Sequence, residues 1–397
     1  MRNKALALAV VLVLTVVVSK SAQAQTLKVL HSFDGTHGAN PYAGLVQATN
    51  GDLYGTTEDG GAVGAGTVFK ITPAGKLTLL HNFNRTDGQF PYAGLVQDTN
   101  GDLYGTTSEG GTSIGNGQCL DINNNDVGCG VVFKLTPSGK LTTVYNFCPD
   151  QDCPDGAYPE ATLVQATNGD PYGTTTYGGA NSCLLNGRDY GCGTVFKITP
   201  SGTLTTLYSF CSQSNCTDGK YPLYAGLVQA TDGDLYGTTS VGGANTTDCE
   251  GGGCGTIFKI TPTGTLTMLY SFCSLTACAD GDEPDAALVQ DTNGDLYGTT
   301  GGGGAGGFGT VFSLSVGLGP FVETRLTSGK VGAAVQILGT KLTGATSVKF
   351  NGKTAVFKVA SSSEIATTVP EGATTGKVEV KTPSGTLISN VNFRVTK

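Results

Sequence analysis

Histidine and charged residues are both scarce in this sequence. It contains three histidines, and Lys, Arg, Asp and Glu together make up 14% of its 397 residues. A Ser-His-Asp arrangement needs a histidine as its base. His31 and His81, however, occupy a position that related segments fill with tyrosine, namely Tyr145, Tyr208 and Tyr270. We therefore expect no triad chemistry, and the low charge argues against long amphipathic helices.

Long apolar runs are absent beyond the N-terminus, so no later segment offers the roughly 20 apolar residues that a membrane-spanning helix needs. Residues 1–24 are typical of a secretory signal peptide: Arg2 and Lys4 precede the apolar run Ala5–Val18, and Ala22–Ala24 fits an A-x-A cleavage site. We expect a mature chain without a transmembrane segment. We expect it to be secreted or displayed on a bacterial cell surface, with the periplasm as an alternative.

Basic residues are outnumbered, with 23 Lys and Arg against 31 Asp and Glu and a formal net charge of −8. The leader carries Arg2, Lys4 and Lys20 and no acidic residue, so its removal makes the charge more negative. A negative surface repels phosphate backbones. Nucleic acid is therefore not an expected partner.

The 12 cysteines fall into six pairs of near neighbours. An exported chain meets an oxidising compartment, where such pairs form disulfides. Zinc sites favour C-x-x-C knuckles or histidine partners, and the spacings here are wider. We expect no metal site and six disulfides: Cys119/Cys129, Cys148/Cys153, Cys183/Cys192, Cys211/Cys216, Cys249/Cys254 and Cys273/Cys278.

One unit recurs five times along the chain, at intervals of 50 to 68 residues. Each complete copy holds four strand-like segments, which in the second copy are Ala93–Gln97 (A), Asp102–Thr107 (B), Val131–Thr136 (C) and Leu141–Phe147 (D). Asn-Gly or Asp-Gly joins A to B, as in type I′ hairpins, and Pro-x-Gly joins C to D. Four antiparallel strands per repeat are typical of propeller blades. We expect a five-bladed β-propeller.

The two ends of this array complement each other. The fifth copy stops after its C segment, Thr310–Leu314, whereas Leu27–Phe33 is a D segment with no copy in front of it. A closed ring would use both, because the N-terminal strand would cover the open edge of the last blade. We therefore expect Leu27–Phe33 to pair with Thr310–Leu314.

Beyond Pro320 the repeat and the cysteines both disappear. Alternating runs such as Ser347–Phe350, Ile365–Val369 and Lys377–Lys381 predict about seven short strands, enough for a small β-sandwich. We thus expect an all-β chain in three parts, with residues 1–24 as the signal peptide, 25–316 as the propeller and 317–397 as an immunoglobulin-like domain.

The strings P-Y-A-G-L-V-Q-x-T-N-G-D-L-Y-G-T-T and G-T-V-F-K-I-T-P resemble the Gloeobacter/Verrucomicrobium (GloVer) tandem repeat of exported bacterial proteins. The patterns in Gly332–Gly339, Val348–Gly352 and Gly376–Val380 are similar to those of the IPT/TIG immunoglobulin-like family. The first resemblance implies architecture and export, but no activity. The second implies a spacer or binding element at a cell surface.

The glycine-rich and oxygen-rich loops do not define a cofactor site. Gly302–Gly307 fits G-x-G-x-x-G, but it lies between two expected strands rather than before a helix, as a dinucleotide site requires. The recurrent T-N-G-D could supply calcium ligands, although the hairpin already accounts for Asn-Gly. We expect no cofactor, with calcium as the alternative.

One repeat position holds the candidate site residues. Just before segment A, the five copies carry Tyr42, Tyr92, Glu160, Tyr224 and Asp285. Tyrosines offer apolar faces to a sugar, and carboxylates accept hydrogens from its hydroxyls. The long loops between B and C and between D and A open onto the same face. Variable loops on a rigid scaffold are where recognition usually occurs.

We therefore expect a monomeric binding protein for a saccharide or a protein, with no catalytic residues. The alternative is a carbohydrate-active enzyme, by analogy with other five-bladed propellers. Glycosidases use two carboxylates, and Glu160 and Asp285 are the candidate pair.

Overall fold

The computed structural model describes residues 27–396 apart from 49, 99, 116, 122, 186, 247, 248, 250 and 251. The expected signal peptide lies outside the described residues. Within them the regular structure consists of β-strands and two short 3-10 turns, Ser214–Cys216 and Thr276–Cys278. None of the described helical segments is long and apolar enough to cross a membrane.

Each of the first four repeats forms one four-stranded antiparallel sheet. The strands of the first two sheets are β1 Val46–Gln47, β2 Leu53–Thr57, β3 Thr67–Ile71, β4 Leu77–Asn82, β5 Val96–Gln97, β6 Leu103–Thr107, β7 Val131–Leu135 and β8 Leu141–Asn146. The third repeat has β9 Val164–Gln165, β10 Pro171–Thr175, β13 Thr194–Ile198 and β14 Leu204–Ser209, with a loop hairpin of β11 Leu184–Leu185 and β12 Arg188–Asp189. The fourth has β15 Val228–Gln229, β16 Leu235–Thr239, β17 Thr256–Ile260 and β18 Leu266–Ser271.

The turn between segments A and B differs from the expected type I′ hairpin. In the third repeat the Gly169 amide donates to the Ala166 carbonyl at 2.9 Å, and of the turn residues only Gly169 has a positive φ, 90°. This is the pattern of a type I turn followed by a glycine bulge. The Asn168 side chain stabilises it, since it accepts the Asp170 amide at 3.1 Å and donates to the Tyr172 hydroxyl at 2.9 Å.

Phenylalanines that are all buried except the partly exposed Phe312 join successive sheets. The last phenylalanine of each D segment meets the phenylalanine of the next C strand edge to face. The ring centroids are 5.3 Å apart for Phe83 and Phe133, 5.2 Å for Phe147 and Phe196, 5.2 Å for Phe210 and Phe258, and 5.1 Å for Phe272 and Phe312.

The D strands confirm that His81 stands in for a tyrosine. Its Nε2 lies 2.9 Å from Asp87 in the following loop. The tyrosines at the same position donate to the corresponding aspartates, at 2.9 Å for Tyr145 and Asp155, 2.6 Å for Tyr208 and Asp218, and 2.7 Å for Tyr270 and Asp280. Imidazole and phenol thus fix the loop between D and A in the same way.

The fifth sheet has three strands, β19 Val289–Gln290, β20 Leu296–Thr300 and β21 Thr310–Leu314. The expected pairing of Leu27–Phe33 with β21 is wrong, because the segment forms no strand and Val311 is 80% exposed. Phe33 instead packs on Phe69 with ring centroids 5.2 Å apart, as Phe83 packs on Phe133. Leu27–Phe33 therefore makes the side-chain contact that other D segments make with the following repeat. It does not form the backbone pairing with β21, which would have to join two segments far apart in the chain.

The C-terminal part has more strands than the about seven expected: β22 Val322–Thr324, β23 Ser328–Lys330, β24 Ala334–Gly339, β25 Ser347–Phe350, β26 Lys353–Ala355, β27 Phe357–Val359, β28 Glu364–Thr368, β29 Val378–Thr382, β30 Gly385–Ile388 and β31 Arg394–Thr396. They form two four-stranded sheets, in the orders β22-β24-β28-β27 and β26-β25-β29-β30, and a parallel pair, β23-β31. One core that includes Ile337, Val348, Phe350 and Val380 lies between the two sheets.

The uncovered edge of β21 gives a first prediction. Amide hydrogens of β21 should exchange faster than those of β17, because β17 is paired on both sides and β21 on one. Hydrogen–deuterium exchange mass spectrometry of peptides spanning 310–314 and 256–260 measures the difference. Equal protection of the two peptides would contradict the open edge.

Candidate ligand-binding site

The expected site position lies where segments from successive repeats run side by side. The Gly94 amide donates to the Thr162 hydroxyl at 2.9 Å, and a Cβ placed on Gly226 would lie 3.7 Å from the Ala287 Cβ. These residues each follow a candidate site residue by two positions. We call the five candidates, Tyr42, Tyr92, Glu160, Tyr224 and Asp285, the inner residues.

Threonines of the B strands hold the inner residues in place. Each donates its hydroxyl to the carbonyl just after the inner residue of the next repeat, at 3.0 Å for Thr56 and Ala93, 3.5 Å for Thr106 and Ala161, 3.3 Å for Thr174 and Ala225, and 3.3 Å for Thr238 and Ala286. These bonds are buried or partly buried. The backbone beside four of the five inner residues is therefore fixed by the preceding sheet.

The structure brings the three inner tyrosines together. The Tyr42 and Tyr92 rings are stacked with centroids 6.4 Å apart and planes 25° apart, and Tyr92 lies 6.5 Å from Tyr224. Tyr42 is 70% exposed and Tyr224 50% exposed. Aromatic faces are thus open to a ligand at this position.

The two inner acids are partly buried and differ in their partners. Glu160 accepts a 2.6 Å hydrogen bond from Thr176; burial raises the pKa of its carboxyl and this bond offsets part of the rise. Burial also raises the pKa of Asp285. Asp285 Oδ1 and Ser240 Oγ are both buried and have no hydrogen-bond partner among the described residues.

Three neighbours of the inner residues were missed by sequence reasoning. Glu58, Thr176 and Ser240 each follow a Gly-Thr-Thr motif, and Glu58 adds to the rise that burial causes in the pKa of Tyr92. Burial is the largest cause that raises the pKa of Tyr224, followed by the charges of Glu160, Asp285 and Glu58. The sequence did hold a signal for these neighbours, because Gly-Thr-Thr is constant in all five repeats whereas the residue after it differs between repeats.

A second group of tyrosines lies on the third and fourth repeats. The Tyr177 ring is 5.6 Å from Tyr158, 5.4 Å from Tyr190 and 5.4 Å from Tyr221. Tyr158 and Tyr221 have φ values of 56° and 54°, an uncommon backbone conformation for bulky residues that costs about 1 kcal/mol or more. The sequence did not single out this cluster.

The six expected disulfides are confirmed: Cys119–Cys129, Cys148–Cys153, Cys183–Cys192, Cys211–Cys216, Cys249–Cys254 and Cys273–Cys278. In the second repeat the four sulfur atoms of both disulfides lie within 4.8 Å of one another, and so do those of the fourth. The loop between B and C is thus held against the loop between D and A. The pairings suit a chain outside the cytoplasm.

Comparison with known proteins identifies the repeat. Residues 15–184 and 183–391 match the family model of the Gloeobacter/Verrucomicrobia repeat, and no curated protein matches the chain significantly. Similar solved structures include a fungal alcohol oxidase of the AA5 family in complex with copper, at 13% identity over 89% of this chain and 75% of that chain, with a TM-score of 0.43. Another is a protein of unknown function from Dyadobacter fermentans, at 12% identity over 81% of this chain and 92% of that chain, with a TM-score of 0.43. A third is a gluconolactonase from Xanthomonas campestris, at 14% identity over 85% of this chain and 88% of that chain, with a TM-score of 0.39.

The buried carboxyl of Glu160 gives a second prediction. A pKa above the ordinary 4.5 means that ionisation destabilises the folded state, so the penalty is absent below 4.5 and complete above the raised pKa. Glu160→Gln should raise the free energy of unfolding more at neutral pH than well below 4.5. Chemical denaturation at the two pH values measures this, with exposed Glu371→Gln as the control. A pH-independent effect of Glu160→Gln would contradict the assignment.

Proposed function

Since the chain belongs to the Gloeobacter/Verrucomicrobia repeat family, we propose that it is an exported binding protein whose five repeats form the blades of a β-propeller. Its ligand is a saccharide. The binding face is the one that carries the inner residues and the disulfide-bonded loops. The protein acts as a monomer, without a catalytic step.

One observation carries this proposal: exposed tyrosine faces and hydrogen-bonding acids from different repeats meet at one place. The Tyr92 ring lies beside both Tyr42 and Tyr224, with centroids 6.4 and 6.5 Å apart, and the charges of Glu160 and Asp285 both act on Tyr224. Sugars bind against aromatic faces while their hydroxyls bond to acids. Both chemistries are present here.

The remaining parts fit an exported protein. Six disulfides brace the loops, and we propose that residues 1–24 are a cleaved signal peptide. The two packed sheets of the C-terminal part support an IPT/TIG-type immunoglobulin-like module. Its role is that of a spacer that holds the propeller away from the cell surface.

A glycan and protein array probed with the mature chain tests the proposal. We expect retention of saccharides and no new reducing ends when the protein is incubated with a panel of polysaccharides. Binding to proteins alone would overturn the saccharide assignment. Release of reducing ends would establish the alternative, an enzyme that uses Glu160 and Asp285.

The third prediction concerns the face used. Tyr92→Ala and Glu160→Gln should each weaken binding of a retained glycan at least about tenfold, the effect of losing ~1.4 kcal/mol. Asn100→Ala and Ser138→Ala serve as controls, because both residues are exposed in turns at the other end of the second sheet. Isothermal titration calorimetry measures the four dissociation constants. Larger losses in the control variants would place binding on the opposite face.

A further inference from the structure

Tyr92 and Tyr224 lie among acidic side chains. After burial, the charges of Glu160, Asp285 and Glu58 raise the pKa of Tyr224, and Glu58 and Glu160 also act on Tyr92. Among the described residues, no lysine or arginine charge acts on the pKa of Tyr224, Glu160 or Asp285. A ligand that enters here therefore meets a negative potential.

Asp285 and Ser240 form a buried polar pair with unused bonding capacity. Ser240 is only 5% exposed, and neither its Oγ nor Asp285 Oδ1 has a hydrogen-bond partner among the described residues. The two side chains are close to each other, because Ser240 offsets part of the rise that burial causes in the pKa of Asp285. Their relative geometry is nevertheless not that of a hydrogen bond. Leaving such atoms unpaired costs about 1–3 kcal/mol each, so a ligand that supplies donors is stabilised here.

The tyrosine faces favour the same kind of group. A cation near the face of an aromatic ring is attracted by its electrons, and Tyr42 and Tyr224 expose half or more of their surface. An ammonium group has three donors and no acceptor, which matches carboxylate oxygens beside aromatic faces.

We propose that the saccharide ligand is an amino sugar with a free amine, whose ammonium group binds Asp285 and Ser240 while the sugar ring lies against the inner tyrosines. The inference rests on the proposed function and narrows its ligand class. Acidic sugars are disfavoured, because their carboxylates face three acids. A calcium ion would need six to eight oxygen ligands, and aromatic faces supply none.

Three β-1,4-linked tetrasaccharides separate these possibilities, since they differ only at C2: glucosamine with an amine, N-acetylglucosamine with an acetamide and glucose with a hydroxyl. Calorimetry of the mature chain in slightly acidic buffer should give at least about tenfold tighter binding of the glucosamine tetramer than of the other two. Asp285→Asn should reduce this preference to within about threefold, and Ser240→Ala should reduce it in the same direction.

Asp291→Asn is the matched control, because Asp291 is an exposed acid of the same repeat in the A/B turn. It should leave the preference unchanged; an equal loss in this variant would show diffuse attraction of a polycation and overturn the proposal. Equal binding of all three tetramers, or binding that a chelator abolishes, would also overturn it while leaving saccharide binding intact. Binding of none of them, together with a glycan array that shows no retention, would instead remove the proposed function itself.

Discussion

In each repeat a phenylalanine of the third strand lies over the glycine of the second, and the rest of the array depends on this contact. A Cβ on Gly105 would lie 2.5 Å from Phe133 Cζ and 2.8 Å from Leu95 Cδ2, so only glycine permits the approach. The Phe133 ring also meets Phe83 of the preceding repeat at 5.3 Å. One side chain therefore fixes both the distance between strands within a sheet and the distance between neighbouring sheets.

The site is a consequence of that spacing. Once two sheets are packed, the threonine after the glycine reaches the backbone of the next repeat, as Thr56 does to the Ala93 carbonyl at 3.0 Å. Tyr92, Glu160, Tyr224 and Asp285 are each placed by such a bond, whereas Tyr42 has no preceding sheet. Among the described residues no such bond is made beside Tyr42, which is 70% exposed.

The sequence predicted best those features that depend on residues close together in the chain. The repeats, their strands and the disulfides Cys148–Cys153 and Cys211–Cys216 involve short separations and strong local preferences. The pairing of Leu27–Phe33 with β21 joins opposite ends of the array, and matching sequences could not fix their relative positions. The turn at Asn168–Gly169 was misjudged for a different reason, since Asn-Gly fits both a type I′ turn and a type I turn with a glycine bulge. The backbone bond from Gly169 to Ala166 that distinguishes them is seen only in the structure.

Site partners were harder to predict than site positions. Repeat alignment put Glu160 and Asp285 at equivalent positions, and in the structure a threonine of the preceding sheet bonds to the carbonyl after each of them. It could not show that Thr176 bonds to Glu160 while Ser240 and Asp285 remain unpaired. Those differences depend on small differences in side-chain geometry, because the backbone is almost the same in each repeat.

The uneven use of disulfides has a physical reason that bears on binding. The second, third and fourth repeats have long B/C loops and two disulfides each, one in the B/C loop and one in the D/A loop, whereas the short loops 58–66 and 301–309 have none. A long loop has few contacts with the core to stabilise it, and it loses more conformational entropy than a short loop when it becomes ordered. A local cross-link therefore stabilises a long loop most. The tyrosines around Tyr177 lie near the inner residues, since burial and then the charge of Glu160 raise the pKa of Tyr177. We therefore expect a saccharide longer than one ring to reach this further aromatic surface.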